Sequence, residues 1–329
     1  MFVTSPSFSF LRSPVIAGLL CFVLLSFCLE KTQAADDSET VRRLYQKAQR
    51  LVAEGDSEEA LDRFLTLAQK YPQSEWAPAS LWEVYRISVH LGDDESAFEA
   101  LNRLIIGQPG HFEKAHAAQL QLVKRLLGGG KETRRSLEPV RKSQTTSPEI
   151  IQEMLKTIIK NGPQSEVGIQ AHYYLGIALE KNGEFKEAIA MHEDFAETYP
   201  QHELADDAGY QVGYIAYKQW KTMRSTGPHQ RENAAIYLAW FIAKFPESDK
   251  VAQARSCLSE VRSSELRELM SLARFYESRG NEKAAAIYHE QIASRFPEAV
   301  ITDKDLREKV MKSAQTNPAV EPDVVGPVR

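Results

Sequence analysis

Glu59-Ala60-Leu61-Asp62-Arg63-Phe64-Leu65-Thr66-Leu67-Ala68-Gln69-Lys70-Tyr71-Pro72 decides how this chain is read, because the phrase comes back. Copies run from Ser96-Ala97-Phe98 to Gln108-Pro109, from Glu187-Ala188-Ile189 to Tyr199-Pro200, from Asn233-Ala234-Ala235 to Phe245-Pro246, and from Ala284-Ala285-Ala286 to Phe296-Pro297. In all five an alanine stands twelve residues before the proline. A weaker sixth copy, with Ile151 in the alanine's place, ends at Pro163. Its continuation Pro163-Gln164-Ser165-Glu166 matches Pro72-Gln73-Ser74-Glu75. Recurrence with fixed internal spacing is the mark of a repeat array.

Inside the phrase, Leu61, Phe64, Leu65 and Ala68 fall on one side of a 3.6-residue helix. Proline then ends it, lacking the amide proton that the next turn needs and pushing the preceding residue out of the helical region. A second helical stretch precedes each phrase, joined to it by a turn: Glu54-Gly55-Asp56, Leu91-Gly92-Asp93, Asn182-Gly183-Glu184 or Arg279-Gly280-Asn281. Glycine permits the left-handed cap such turns require. The small residue lets two antiparallel helices approach, with Ala48 set against Ala60 and Gly176 against Ala188, each pair twelve apart.

The pattern resembles the tetratricopeptide repeat. It predicts an all-α chain, an α-solenoid of about six helix-turn-helix units over residues 35–300, with insertions at 128–148 and 219–233. The first insertion is basic, with Lys131, Arg134, Arg135, Arg141 and Lys142. Residues 301–329 read as a terminal helix and then a tail from Thr316 to Arg329, whose Pro318, Pro322 and Pro327 give it the composition of a disordered segment.

Ahead of the repeats, Arg12 and an apolar run from Val15 to Leu29 lead to Lys31-Thr32-Gln33-Ala34. The run is shorter than the ~20 residues of a membrane-spanning helix and ends in small residues, so residues 1–34 read as a signal peptide. The alternatives are an uncleaved anchor, lengthened by Phe8 and Phe10, and a lipidated Cys28, against which stands the bulky Phe27 before it. Each places the bulk of the chain outside the cytoplasm, and membrane association requires that lipid or anchor. Cys21 and Cys28 lie in the apolar run, which leaves the mature part with Cys257 alone and no disulfide within one chain.

With 40 Lys and Arg against 45 Asp and Glu, the chain lacks the strongly basic balance of a nucleic-acid binder. The sequence carries no complete catalytic constellation. Gly128-Gly129-Gly130-Lys131 is followed by Glu132, where a phosphate loop needs Ser or Thr, and no strand precedes it. His192-Glu193 and His289-Glu290 begin like a zinc-protease helix but lack the second histidine. Each occupies the repeat position held elsewhere by Phe64, Leu101, Leu155 or Leu238, which makes them packing residues. His111 and His116 are five apart, on different sides of a helix. No metal or cofactor is expected, and the chain reads as a binder of other proteins or peptide segments.

In tetratricopeptide proteins the first helix of each pair lines the binding groove, so the resemblance implies a binding surface on those helices. Tyr45, Trp82 and Tyr173 each lie twenty-seven residues before the proline of their unit, and Met270 holds that place in the last. Tyr210 lies ten residues after Pro200, as Tyr173 follows Pro163 and Trp82 follows Pro72, and Tyr214 and Tyr217 continue its stripe. One reading is packing between neighbouring helices. The other is an aromatic-lined groove that grips a partner segment, with Arg42, Arg86 and Arg274 near it to pair with carboxylates.

Tyr71-Pro72-Gln73-Ser74 followed by Trp76-Ala77-Pro78-Ala79, and Tyr199-Pro200 followed by Ala205 and Ala208, resemble the repeats of the BamD family of outer-membrane assembly lipoproteins. The periplasmic cell-division coordinator family CpoB has similar phrasing. The first resemblance implies a non-catalytic scaffold in the periplasm or on the periplasmic face of the outer membrane, partnered with β-barrel assembly components. The second implies an adaptor of cell-wall or division enzymes.

Overall fold

The computed structural model describes residues 38–128, 146–222 and 228–316, and among them the secondary structure is helical. Fourteen α-helices follow one another within these described residues: α1 (38–54), α2 (Ser57–Lys70), α3 (Trp76–Leu91), α4 (Asp94–Gly107), α5 (Phe112–Leu127), α6 (Pro148–Asn161), α7 (Glu166–Lys181), α8 (Phe185–Thr198), α9 (Ala205–Thr222), α10 (Pro228–Lys244), α11 (Val251–Ser278), α12 (Glu282–Arg295), α13 (Pro297–Thr302) and α14 (Lys304–Thr316). The leader 1–34 with Cys21 and Cys28, the basic stretch Lys131 to Lys142 and the prolines of the tail lie outside the described residues.

The repeat phrase becomes the second helix of a pair, and its ends show why. The amides of Tyr71, Tyr199, Phe245 and Phe296 each donate at 2.9 Å to the carbonyl four residues back, on Leu67, Phe195, Phe241 and Ile292. That is the last bond the helix can make, since the next residue is proline. At the other end Asp93 Oδ1 accepts from the Ser96 amide at 3.0 Å, and Asn281 Oδ1 from the Ala284 amide at 3.1 Å, each satisfying an orphan donor of the first turn. Gly55, Gly92, Gly183 and Gly280 take φ of +90°, +78°, +81° and +71°, so each of the four expected turns uses the left-handed region.

Packing explains the alanine. Ala60, Ala97, Ala188 and Ala234 are fully buried and Ala285 is 3 % exposed, so the small side chain sits where helices cross. At Gly176 the expectation shifts by one turn. The space a Cβ would fill there is taken by the His192 ring, with Cε1 at 2.6 Å, rather than by Ala188. Residues 219–233 differ in kind from an inserted turn. Helix α9 continues to Thr222 and α10 begins at Pro228, with residues 223–227 outside the described part.

The chain divides into two compact units, residues 1–171 and 172–329, the boundary falling inside α7. In the first, α2 to α6 pack each against the next. Val41, Tyr45 and Ala48 of α1 share a core with Ala60, Phe64 and Leu67 of α2 and with Val84 and Ile87 of α3. In the second, α8 packs on α9, α9 on α10, α10 on α11, and α11 on α12, while α14 returns along α12. Helix α11 runs for 28 residues and buries Ala254, Cys257, Val261, Glu265, Leu269 and Ala273 along its length. The Glu265 carboxylate is matched by Arg295 at 2.6 Å, which a buried charge requires. No helix among the described residues is long and apolar enough to cross a membrane.

Candidate functional site

In the first unit Tyr45 is buried, its ring 5.4 Å from Phe64 and 4.9 Å from Trp76, and burial raises its hydroxyl pKa. Trp82 is half-buried. Its indole N–H donates to His111 Nδ1 at 3.3 Å, the Lys114 ammonium sits 4.6 Å from its ring centroid, and Tyr85 meets it edge-on at 5.9 Å. Arg42 and Arg86 are exposed and pair with Glu39 and Glu83 on their own helices. The face offers an aromatic surface flanked by a cation.

In the second unit Tyr173 is buried against His192 at 5.3 Å and Phe195 at 5.8 Å, and its hydroxyl pKa is pushed up to about 12, chiefly by burial. Helix α9 then carries a ladder of rings. Tyr210 stacks on Tyr214 at 5.3 Å and 17°, Tyr214 on Tyr217 at 6.1 Å and 24°, and Trp220 follows at 5.9 Å. Tyr210 and Tyr217 are buried, whereas Tyr214 is half-exposed, with the Lys218 ammonium 5.7 Å from its ring centroid. Beside the rings, Gly209 and Gly213 let α10 approach so closely that a Cβ at Gly213 would lie 3.1 Å from the backbone nitrogen and Cα of Leu238, and Tyr210 itself packs on Phe241 of α10 at 5.6 Å. Met270 is half-buried against the cluster of Leu269, Ile292, Phe296 and Leu306, and Arg274 is exposed.

One part of this site left no signal in the repeat. The Tyr217 hydroxyl donates to Glu260 Oε2 at 2.5 Å, and Lys221 Nζ donates to the Tyr217 oxygen at 2.8 Å and lies 3.1 Å from Glu260. The clasp holds Glu260 below the ordinary carboxylate range, through the Tyr217 hydrogen bond first, and pushes Lys221 up to about 12. Glu260 lies 43 residues from Tyr217 at no repeat-related position, so only the folded chain joins them. Cys257 is buried beside this clasp, and burial raises its thiol pKa, which makes it an inert packing residue.

His192 lies beneath Tyr173 with neither ring nitrogen hydrogen-bonded. Burial first, and His172 second, lower its pKa to about 4. An unfolded imidazole titrates near 6.5, so below that pH the unfolded chain takes up a proton that the fold refuses. Stability contributed by the neutral ring is complete at neutral pH and drains away as pH falls from about 6.5 toward 4. Between pH 7 and pH 5 the loss is expected to be roughly 2 kcal/mol. His192→Leu, the residue found at this position in three other repeats, should flatten that part of the profile. Parallel profiles for the two proteins in urea titrations would refute the assignment.

Residues 138–320, more than half of the chain, match the model of the YfiO family, described as an outer membrane lipoprotein. The chain belongs to that family. Membership in YfiO carries a location on the periplasmic face of the outer membrane and agrees with the BamD-type resemblance and with the helix pairs described above. No curated protein matches the sequence. Among solved structures, this YfiO-family chain is similar to MamA (from residue 41 to its end) of Desulfovibrio magneticus RS-1, at 15% identity over 64% of this chain and 97% of that one, with a TM-score of 0.32. A thermophilic tetratricopeptide protein of Thermus thermophilus is 17% identical over 66% of this chain and 98% of its own, with a TM-score of 0.32. PilW, a type IV pilus biogenesis factor, is 14% identical over 83% of this chain and 97% of its own, with a TM-score of 0.30.

Proposed function

We propose that this protein is a non-catalytic scaffold that binds components of the β-barrel assembly machinery at the outer membrane through the ring-bearing faces of its first helices. The YfiO match over residues 138–320 carries the reading, because it falls on a stack of helix pairs that expose aromatic edges and cations. Trp82, Arg86, Tyr214, Met270 and Arg274 are the accessible members, and Tyr45, Tyr173, Tyr210 and Tyr217 back them from the core. Rigid, half-buried rings lose little conformational freedom on binding, which suits them as anchors for a partner segment.

Tyr210 packs at 5.6 Å on Phe241, so its removal would test the core. The discriminating variant is therefore Trp82→Ala with Tyr214→Ala. Crosslinking pull-down of the full chain from its own envelope is expected to recover β-barrel assembly components, with recovery reduced about ten-fold in the double variant at unchanged helicity. Recovery of cell-wall or division enzymes in their place would replace this reading with that of a periplasmic adaptor.

A further inference from the structure

A groove of about 720 Å³ lies in the second unit between α10 and the corner of α12 and α13, floored by α11. Its floor is apolar, with Ile242, Leu258, Leu266 and Phe296. Arg255 and Arg262 line it two helical turns apart, both exposed and neither in an ion pair among the described residues, and Glu298 is the one carboxylate in the lining. Two unpaired guanidiniums beside an open apolar floor suit an extended segment that alternates carboxylates with apolar side chains.

The chain carries such a segment. After α14 come Val320-Glu321-Pro322-Asp323-Val324-Val325, in which two carboxylates are interleaved with three valines. Pro318, Pro322 and Pro327 oppose helix and favour extended backbone, which lowers the entropy lost on docking. The tether is long enough. Helix α14 lies along α12, with Leu306 in the cluster of Phe296, and with Ser313 hydrogen-bonded to His289 at 2.8 Å and Lys312 paired with Glu282 at the other end. Thr316 therefore ends near the start of α12 and the groove opens near its finish, about 20 Å away. Six residues in extended form would span that distance, so the stretch from about Pro322 onward is within reach of the floor.

We propose that residues 321–325 dock in this groove of their own chain, with Glu321 meeting Arg262 at the lip, Asp323 on Arg255, and Val324 and Val325 on the apolar floor. Docking here does not depend on the ring-bearing helices α3 and α9, and would make the groove self-occupied until a competing acidic segment displaces the tail. The test uses the full chain with a nitroxide attached at Val328→Cys and reads the methyl signals of Ile242, Leu258 and Leu266, with buried Leu179 of α7, in the same unit, as control. Broadening of the groove methyls alone is expected. Arg255→Glu with Arg262→Glu should cut the docked fraction about ten-fold, and adding Glu321→Lys with Asp323→Lys should restore it. Both arginines are exposed, and circular dichroism checks that each variant keeps its helicity. Groove methyls no broader than Leu179 would overturn the proposal. So would broadening transferred only between labelled and unlabelled molecules in a mixture, which would place the tail on a second copy, or a charge swap that fails to restore docking.

Discussion

Gly168→Ala is expected to lose about 3 kcal/mol or more of stability, although alanine is the better helix former. Gly168 stands in the first turn of α7 against the corner that leads out of α6. A Cβ there would run into the Gly162 carbonyl oxygen, with the Gly162 carbonyl carbon at 2.9 Å and Pro163 Cα at 3.4 Å. The obstruction is backbone, and that backbone is pinned. Ser165 donates to the same Gly162 carbonyl through its hydroxyl at 2.7 Å and its amide at 3.1 Å, and the Gly168 amide donates back to Ser165 Oγ at 3.1 Å. The imidazole of His116 closes the far side of Gly162, its Cε1 2.8 Å from where a Cβ would lie, and is itself hydrogen-bonded to the Ile158 carbonyl at 2.9 Å. No flexible side chain can yield. A urea midpoint unchanged from the parent would show that the corner relaxes freely and that this account of it is wrong.

Phe195→Ala should cost about 3–5 kcal/mol, the range for emptying a fully buried aromatic site. Phe195 is completely buried on α8, and its ring touches His172 at 6.0 Å, Tyr173 at 5.8 Å, Tyr199 at 5.3 Å and His202 at 5.4 Å. Truncation removes the common neighbour of four rings, so three edge-on contacts and the tilted one to Tyr199 are lost with the buried area. Phe195→Leu keeps most of the volume and should cost less than half as much. Near-ultraviolet circular dichroism would report loosening of Tyr173 and Tyr199 alongside the shift of the midpoint. Equal midpoints for the alanine and leucine variants would remove the packing explanation.

The repeat was legible because its causes are local. An alanine, an aromatic and a proline on one fourteen-residue ruler state where a helix begins to pack and where it stops, and the four left-handed glycines state where the chain reverses. Ring burial obeys no such ruler. Tyr45, Trp82 and Tyr173 occupy one repeat position, yet Tyr45 and Tyr173 are buried and Trp82 is half-open, because each depends on what the following helices bring over it. Phe64 and Trp76 cover Tyr45, whereas Trp82 meets the polar His111 and Lys114. The Glu260 clasp on Tyr217 was illegible for the same reason, since it joins helices through positions that the repeat leaves unspecified. The histidines at 192 and 289 were legible as packing because the other repeats put Phe or Leu there, and both are buried.

Helix α11 bears on how this protein can change over evolutionary time. Arrays whose modules touch only their neighbours tolerate the loss or gain of one module, since every junction resembles the next. Here a single rod of 28 residues, about 42 Å long, serves α10 with one half and α12 with the other. Excising either partner would strip half of that rod of its cover and leave its apolar stripe in water. Helices α10 to α12 thus form one packing block, from which a single module cannot be removed without exposing that stripe.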